Sequence, residues 1–190
     1  MIKDLILKNR SYRRFFQEHA IPFDFLKELV SLARMSPSGR NLQPLKYWLS
    51  CDPETNEKIF QTLSWAAYLK DWNGPGEGEK PSAYIVILGD TRLTTNFMCD
   101  HGIVSQSMLL GAVEQGLGGC IFASINRKKL SELLKLDDHF EILLVLALGK
   151  PKETVVIDDV KNDDIKYYRD EKQVHHVPKR SIDELILNEK

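Results

Sequence analysis

The sequence predicts a single domain that combines α-helices with β-strands. Its 190 residues are 43% hydrophobic and 28% charged, which is typical of soluble globular domains. Short apolar runs such as AYIVIL (83–88) and ILLVLAL (142–148) end at turn-forming residues, which favours strands buried on both faces. Longer segments carry apolar residues at helical spacing. Because the two kinds of segment alternate without a strict strand–helix–strand order, the pattern indicates a mixed α and β class.

The individual elements can be placed in order along the chain. Segment 22–35 has Leu26, Leu29 and Ala33 on one helical face, with Asp24 as a candidate N-cap. The stretch 71–81 is rich in Gly and Pro, which predicts a mobile loop. The other predicted helices are 53–69, 97–115 and 127–136, and the predicted strands are 46–51, 83–88, 120–123 and 142–148.

The chain changes character after residue 151. Aspartates alternate with lysines there, and almost no apolar face remains before residue 182. A segment of this kind does not bury enough apolar surface to form its own core. We therefore expect a core at 1–151 and an extension at 152–190 of the same domain, either frayed or laid on another surface, including that of a second subunit.

Charge and composition exclude several classes of function. The net charge is −1, from 26 basic and 27 acidic residues, so no overall field favours nucleic acid or an anionic membrane. No window approaches the roughly 20 apolar residues of a membrane-spanning helix, and the N-terminus is unlike a secretory signal, so we expect a cytoplasmic protein. Three widely spaced cysteines without a CxxC pair predict reduced, buried thiols.

Polar groups capable of binding a ligand concentrate in two loops. The basic segment, NRSYRRF (9–15), contains Arg10, Ser11 and Arg13, two guanidinium groups and a hydroxyl that suit a phosphate. A solvated basic turn is the plainer alternative. The amide loop, SPSGRNLQP (36–44), offers both donors and acceptors from Asn41 and Gln43, as the edge of a planar heterocycle requires. Its alternative is a loop whose amides satisfy their own backbone.

Two further stretches are candidates. The glycine strand, QGLGGCIFAS (115–124), could bring backbone close to a flat ligand, although a helix C-cap followed by a turn is equally compatible. It lacks the GxGxxG pattern of a Rossmann fold. HHVPKR (175–180) could add basic groups at a phosphate, whereas adjacent histidines are poor metal ligands. We expect no metal site, and because no self-sufficient nucleophile is present, any enzyme here would depend on a cofactor.

In combination, these motifs resemble the nitroreductase family of flavin enzymes. The motifs that carry the resemblance are Arg-Ser-x-Arg at 10–13, Pro-Ser-x-x-Asn-x-Gln-Pro at 37–44, Gly-Leu-Gly-Gly-Cys at 116–120 and Gly-x-Pro at 149–151. The resemblance implies an α+β fold with a mainly antiparallel central sheet flanked by helices. It also implies an intertwined homodimer that exchanges its C-terminal segments and binds FMN at the subunit interface.

The resemblance assigns roles to particular residues. Arg10, Ser11 and Arg13 match residues that hold the FMN phosphate, ribityl chain and pyrimidine edge. The residues that match contacts to the flavin ring, in part from the other subunit, are Pro37, Ser38, Asn41 and Gln43. Phe122, Ala123 and Ser124 match a backbone stretch that faces the redox edge, and Lys179 or Arg180 matches a late basic residue at the phosphate.

The function implied is reduction of small electron acceptors, such as nitroaromatics or quinones, by NADH or NADPH. Hydride would pass to flavin N5 and then to the acceptor in a ping-pong sequence, without a catalytic side chain. Trp72 and the loop around it would form a wall or lid on the substrate side. A flavin-binding module or sensor with little turnover, and a different flavin reaction such as dehalogenation, are the alternatives.

Overall fold

The computed structural model describes residues 1–188 and confirms an α+β fold built on an antiparallel sheet. Its helices are α1 (Ile2–Lys8), α2 (Phe23–Met35), α3 (Pro53–Phe60), α4 (Asp100–Glu114), α5 (Arg127–Leu134) and α6 (Ile182–Leu185). Its strands are β1 (Phe15–Phe16), β2 (Leu45–Ser50), β3 (Ala83–Asp90), β4 (Gly118–Phe122), β5 (Phe140–Pro151), β6 (Val155–Asp159), β7 (Tyr168–Arg169) and β8 (His175–Lys179). None of the helices within residues 1–188 has the length and apolar character that a bilayer crossing requires.

The main sheet is organised around β5. This strand pairs with β3 along one edge, and β3 pairs in turn with β2. Along its other edge β5 pairs with β4, from Val145 to Gly149, and with β1, at Lys150 and Pro151. All of these pairings are antiparallel, and the connections between paired strands contain helices, such as α3 between β2 and β3.

Helices cover both faces of the sheet. Alternate residues of β3 point to opposite faces, and every residue of the strand is buried. Ile85 and Ile87 pack with α2 and α4, whereas Tyr84 and Val86 pack with residues of α3 and α5. Burial on both faces explains why β3 and β5 are continuous apolar runs in the sequence.

Three predicted helices are shorter in the structure, including the one predicted at 127–136, which ends at Leu134. The helix predicted at 53–69 ends at Phe60, because the next backbone groups bond to the segment after β4: Asn126 N donates to Thr62 O at 2.8 Å, and Ser64 N donates to Ser124 O at 3.0 Å. The helix predicted at 97–115 begins at Asp100, since Met98 has a φ of 49° that a right-handed helix does not accept.

Other local predictions have mixed outcomes. Pro22, rather than Asp24, is the N-cap of α2, and Asp24 instead bonds to Lys27 at 2.8 Å. The cysteines are free, as predicted, but only Cys120 is buried, while Cys51 is half-buried and Cys99 is exposed. Segment 71–81 contains no helix or strand, in agreement with the predicted loop.

The C-terminal extension is ordered rather than frayed. β8 pairs with β6 in parallel and with β7 in antiparallel orientation, which forms a small second sheet. This sheet contacts its own chain: Arg169 lies 4.2 Å from the ring centroid of Trp72 and bonds to Glu153 at 3.0 Å. The extension therefore has a surface to lie on, and its exchange with a second subunit stays a prediction.

The close contact between β4 and β5 gives a first test. A Cβ at Gly119 would lie 2.5 Å from the Ala147 carbonyl oxygen, so we expect Gly119→Ala to lower the free energy of unfolding by about 1–3 kcal/mol. Gly102, on α4, has open space at its Cβ position, and Gly102→Ala should add about 0.5–1 kcal/mol. Urea unfolding of both variants measures the difference. Equal stability of Gly119→Ala and wild type would contradict this packing.

Candidate functional site

The structure brings the basic segment against the glycine strand. Ser11 forms a parallel bridge with Gly119, and Tyr12 N donates to Gly119 O at 3.0 Å. The Tyr12 ring covers Gly118, where a Cβ would lie only 2.5 Å from the ring. Two of the candidate motifs thus meet because glycine leaves room for the basic segment at this edge of β4.

Arg10 carries a buried donor without an acceptor. Its Nη2 donates to Ile6 O at 2.8 Å, but within residues 1–188 its buried Nε has no hydrogen-bond partner. A buried guanidinium N–H that lacks an acceptor costs free energy. An anionic oxygen of a ligand would supply the missing acceptor, so the residue fits the phosphate-binding role predicted for it.

Arg13 is held by the C-terminal extension. Its Nη1 donates to His175 Nε2 at 3.0 Å and to Ser11 O at 3.2 Å, and its guanidinium lies 4.5 Å from the Tyr167 ring centroid. Burial, together with the charges of Arg13 and Arg169, lowers the pKa of His175 to about 4. The imidazole is therefore neutral near pH 7 and accepts the hydrogen bond from Arg13.

The late basic residues lie elsewhere on the small sheet. Arg180 bonds to Asp163 at 3.0 Å and to Glu184 at 3.2 Å, and Lys179 is exposed at the end of β8. Within residues 1–188, no hydrogen bond or ion pair joins either residue to the basic segment. Their role at a phosphate stays a prediction, and His175, being neutral, adds no positive charge.

The amide loop has an unusual backbone. Arg40, Asn41 and Gln43 have φ values of 53°, 56° and 50°, a left-handed conformation that is uncommon outside glycine. The side chains of Asn41 and Gln43 are exposed, and the side-chain amide of Gln43 donates to the Asn41 carbonyl oxygen at 3.2 Å. Left-handed residues cluster at functional sites, where the surrounding structure holds them in place.

Asp100 holds the amide loop in this conformation. This buried first residue of α4 accepts from Ser38 Oγ at 2.6 Å and from Gly39 N at 2.9 Å. Ser38 Oγ in turn accepts from Gln43 N at 2.9 Å. The hydroxyl of Ser38 is therefore already used within the loop, and the exposed Pro37, Asn41 and Gln43 are the groups left to meet a ligand.

The end of the glycine strand presents backbone rather than a reactive side chain. Phe122 is buried, with its ring centroid 4.6 Å from that of Trp65, so its side chain belongs to the core. Ala123 and Ser124 are exposed just beyond β4. Gly116, with a φ of 72°, follows the end of α4 as a C-cap glycine does. The motif therefore contains both the helix C-cap of the plainer interpretation and the exposed backbone that a flat ligand could contact.

The candidate motifs fall into two groups along α4. The amide loop is bound to Asp100 at the beginning of this 15-residue helix, whereas the glycine strand follows its end. At a rise of 1.5 Å per residue, the two ends of the helix are separated by about 21 Å. A single chain therefore displays two separate half-sets of candidate residues.

Trp72 is fixed against other aromatic and basic side chains. In addition to Arg169, it contacts Trp65 edge to face, with ring centroids 6.3 Å apart. Further along the same loop, Glu79 bonds to Arg14 at 2.8 Å. The loop is tied down at both places, and its predicted role as a substrate-side wall stays a prediction.

The sequence carries no signal for two positioning contacts, those made by Asp100 and by His175. Asp100 stands near the N-terminus of a helix, where acidic residues are common for dipole reasons alone. His175 lies in the polar extension, far along the chain from its partner Arg13. Only the packing of α4 and of the small sheet reveals their contacts.

The hydrogen bonds of Asp100 generate a testable prediction. Asp100→Ala leaves Ser38 Oγ and Gly39 N without their acceptor, so we expect the free energy of unfolding to fall by about 1.5–3 kcal/mol. The loosened loop should also be cut faster by trypsin after Arg40. Asp138→Ala, at an exposed turn, is the matched control. If both variants are as stable and as protease-resistant as wild type, Asp100 does not hold the loop.

Comparison with known proteins places this architecture among relatives. One relative is MhqN of Bacillus subtilis, which carries the provisional name NAD(P)H nitroreductase. It is 23% identical to this chain over 189 residues, which cover 78% of this chain and 87% of that protein. An iodotyrosine deiodinase of Haliscomenobacter hydrossis is also 23% identical, over 83% of each chain. The solved structure of an FMN-dependent nitroreductase from Clostridium difficile superposes with a TM-score of 0.66 at 21% identity, covering 86% of this chain and 92% of that one.

The family of the chain follows from its match to a sequence profile. Residues 6–150, which include the basic segment, the amide loop and the glycine strand, match the profile of the Nitroreductase family. The match covers well over half of the chain, and the antiparallel sheet agrees with the fold of the solved relatives. The chain belongs to the nitroreductase family.

Proposed function

We propose that this protein is an FMN-dependent oxidoreductase that uses NADH or NADPH to reduce small electron acceptors such as nitroaromatics or quinones. The observation that carries the proposal is the unpartnered, buried Nε of Arg10, in a basic segment that lies against the glycine strand. Family membership and the names of the relatives support the same cofactor and electron donor.

The residues present suit FMN. Arg10 and Ser11 would bind its phosphate and ribityl hydroxyls, and Arg13 would lie at the pyrimidine edge of the ring. Asn41 and Gln43 supply exposed amides that both donate and accept, as the carbonyl and N–H groups of a flavin require. The backbone of 122–124 offers a flat surface without a competing side chain.

The protein's contribution to the reaction is positioning and charge. When bound, FMN supplies hydride chemistry at its ring, which no side chain of this protein can supply. The fixed charge of Arg13, oriented by His175 and Tyr167, would stabilise negative charge at the pyrimidine edge. No side chain is required as a general acid, because an acceptor can take its proton from water.

A complete site would need two subunits. The half-sets at the two ends of α4 would meet if the amide loop of one chain faced the basic segment of the other. Apolar side chains that a second copy could cover are exposed near both termini, on α1 and on or directly after α6, two helices without a buried residue. They are Ile2, Ile6, Leu7, Ile182, Leu185 and Leu187.

Dehalogenation is the second candidate reaction. Iodotyrosine deiodinase of Haliscomenobacter hydrossis and an iodotyrosine dehalogenase homologue of Caenorhabditis elegans are 23% and 25% identical to this chain. The same FMN site would serve either reaction, since the fold does not determine the acceptor.

Flavin reduction tests the proposed function directly. We expect the purified protein to bind FMN and the bound flavin to lose its 450 nm absorbance on mixing with NADH or NADPH. A nitroaromatic or quinone should then restore the absorbance. Reoxidation by iodotyrosine alone would favour the dehalogenase, and flavin that stays oxidised with both donors would exclude the reductase.

Complementation between two defective variants tests the shared site. The double variant Arg10→Ala/Arg13→Ala should weaken FMN binding by on the order of 3 kcal/mol. The double variant Asn41→Ala/Gln43→Ala should also weaken FMN binding, because it removes the contacts that the amide loop of the other subunit would make. In a mixed dimer, one of the two sites would combine an intact basic segment with an intact amide loop. Co-expression should therefore restore FMN to about a quarter of all sites.

Flavin absorbance per protein, measured after gel filtration, gives the result. We expect elution at about twice the 21.8 kDa chain mass. A monomer that retains FMN, or co-expressed variants that bind no more FMN than each variant does alone, would contradict a site shared between subunits.

A further inference from the structure

A cavity lies apart from the residues assigned to FMN. It has a volume of about 480 Å³, within the range of small-molecule sites. Its walls come from the beginning of α3, the beginning of β3, the segment after β1 and the loop before β3. None of the residues that the family resemblance assigns to FMN lines it.

Two buried polar atoms of the lining lack hydrogen-bond partners. Asn56 is 7% exposed; its Nδ2 donates to Ser82 O at 2.8 Å, but within residues 1–188 its Oδ1 has no partner. Tyr84 is 0% exposed, and its hydroxyl is also unpaired in this part of the chain. Native proteins seldom leave buried polar atoms unpaired, so two beside one cavity indicate a missing partner.

The charges of the lining define that partner. Glu18, Glu57 and Glu77 face the cavity together with a single cation, Lys80. Lys80 Nζ is already bonded to Glu57 at 2.7 Å and to Glu77 at 3.1 Å, so it has little capacity left for an anion. The net charge of these groups is negative, which disfavours phosphates and carboxylates and favours a cation.

The unpaired atoms favour a hydrogen-bond donor. Asn56 Oδ1 can only accept, and the Tyr84 hydroxyl can accept as well. Burial, and secondarily the charge of Glu57, raise the pKa of Tyr84 well above its usual value, so the phenol stays neutral. An ammonium group has three donors and no acceptor, which matches two neutral acceptors beside a carboxylate.

Hydrogen bonds to Gln17 fix the rim of the cavity. Gln17 Oε1 accepts from Gly78 N at 2.8 Å and from Lys80 N at 3.1 Å, which fixes the loop before β3 to the segment after β1. Phe60, Pro53 and Pro81 supply apolar wall beside the polar floor. A ligand with an ammonium head and a short aliphatic body would satisfy both parts of the lining.

We propose that this cavity binds a small aliphatic primary amine, with the ammonium group bonded to Asn56 Oδ1, the Tyr84 hydroxyl and the Glu57 carboxylate. The site is separate from the flavin and would tie the protein to amine-containing metabolites. It does not depend on the proposed reductase function, because amine binding is measured in the absence of an electron donor.

Calorimetric titration of the FMN-loaded protein tests the site. 1,4-Diaminobutane and butylamine should bind saturably at 150 mM salt, whereas butyrate and 1-butanol should not. Because Tyr84→Phe removes one acceptor and keeps the ring, the amine Kd should rise about tenfold. Glu57→Gln should raise it at least as much, and Glu54→Gln, at an exposed position of the same helix, should leave it unchanged.

Stability without ligand separates this role from a purely structural one. Since the Tyr84 hydroxyl has no partner in the unliganded protein, Tyr84→Phe should not lower the melting temperature and could raise it by about 2 °C. Absence of saturable amine binding to wild type, wild-type affinity in both Tyr84→Phe and Glu57→Gln, or preference for butyrate would each overturn the proposal. If Tyr84→Phe does not fold, the difference in amine affinity between Glu57→Gln and its control Glu54→Gln still tests the proposal.

Discussion

The pairing of β5 with strands on both of its edges is the constraint on which the rest of the molecule depends. Twelve residues long, β5 holds β3 and β2 on one side and β4 and β1 on the other. The β1 pairing begins at Phe15, the last residue of the basic segment, and the β4 pairing sets the position of Gly118 and Gly119. Two motifs more than a hundred residues apart are thereby brought into contact through backbone hydrogen bonds.

A second constraint acts at the beginning of α4. Asp100 uses both carboxylate oxygens to hold Ser38 and Gly39, which keeps three non-glycine residues in a left-handed conformation. The free energy of these hydrogen bonds offsets backbone strain in a loop whose remaining amides face outward. The molecule thus separates a scaffold of short contacts from amide side chains that are exposed to solvent, which is the arrangement a ligand site requires.

The same distinction between satisfied and unsatisfied groups separates the two proposed sites. At the basic segment the unpaired group is a donor, Arg10 Nε, and the segment carries three arginines. In the cavity beside α3 the unpaired groups are an amide oxygen, which accepts, and a phenol hydroxyl, which accepts and donates, and carboxylates outnumber the single ammonium. Opposite hydrogen-bond requirements and opposite charge favour chemically different ligands, an anionic cofactor at one site and an organic cation at the other.

The sequence alone was sufficient wherever the signal is local. Apolar runs predicted β3 and β5, helical spacing predicted α2, and the order of four motifs indicated the family, because each of these depends on neighbours within a few residues. Element ends were less predictable: α3 stops at Phe60 because Thr62 and Ser64 bond to a distant segment, a cause that no local pattern contains. The small sheet of the extension was not predicted for a similar reason, since it depends on contacts with the core rather than on apolar periodicity of its own.

Tertiary structure alone decided how the predicted residues are used. The sequence identified Ser38 as a ligand group, but packing of α4 brought Asp100 to its hydroxyl and made it part of the scaffold. It identified Arg13 as well, yet gave no indication that a neutral His175 would accept from its guanidinium. The unpaired atoms of Asn56 and Tyr84 are likewise visible only after folding. Residue identity determines which hydrogen bonds a side chain is able to make, and the three-dimensional arrangement determines which of them remain available to a ligand.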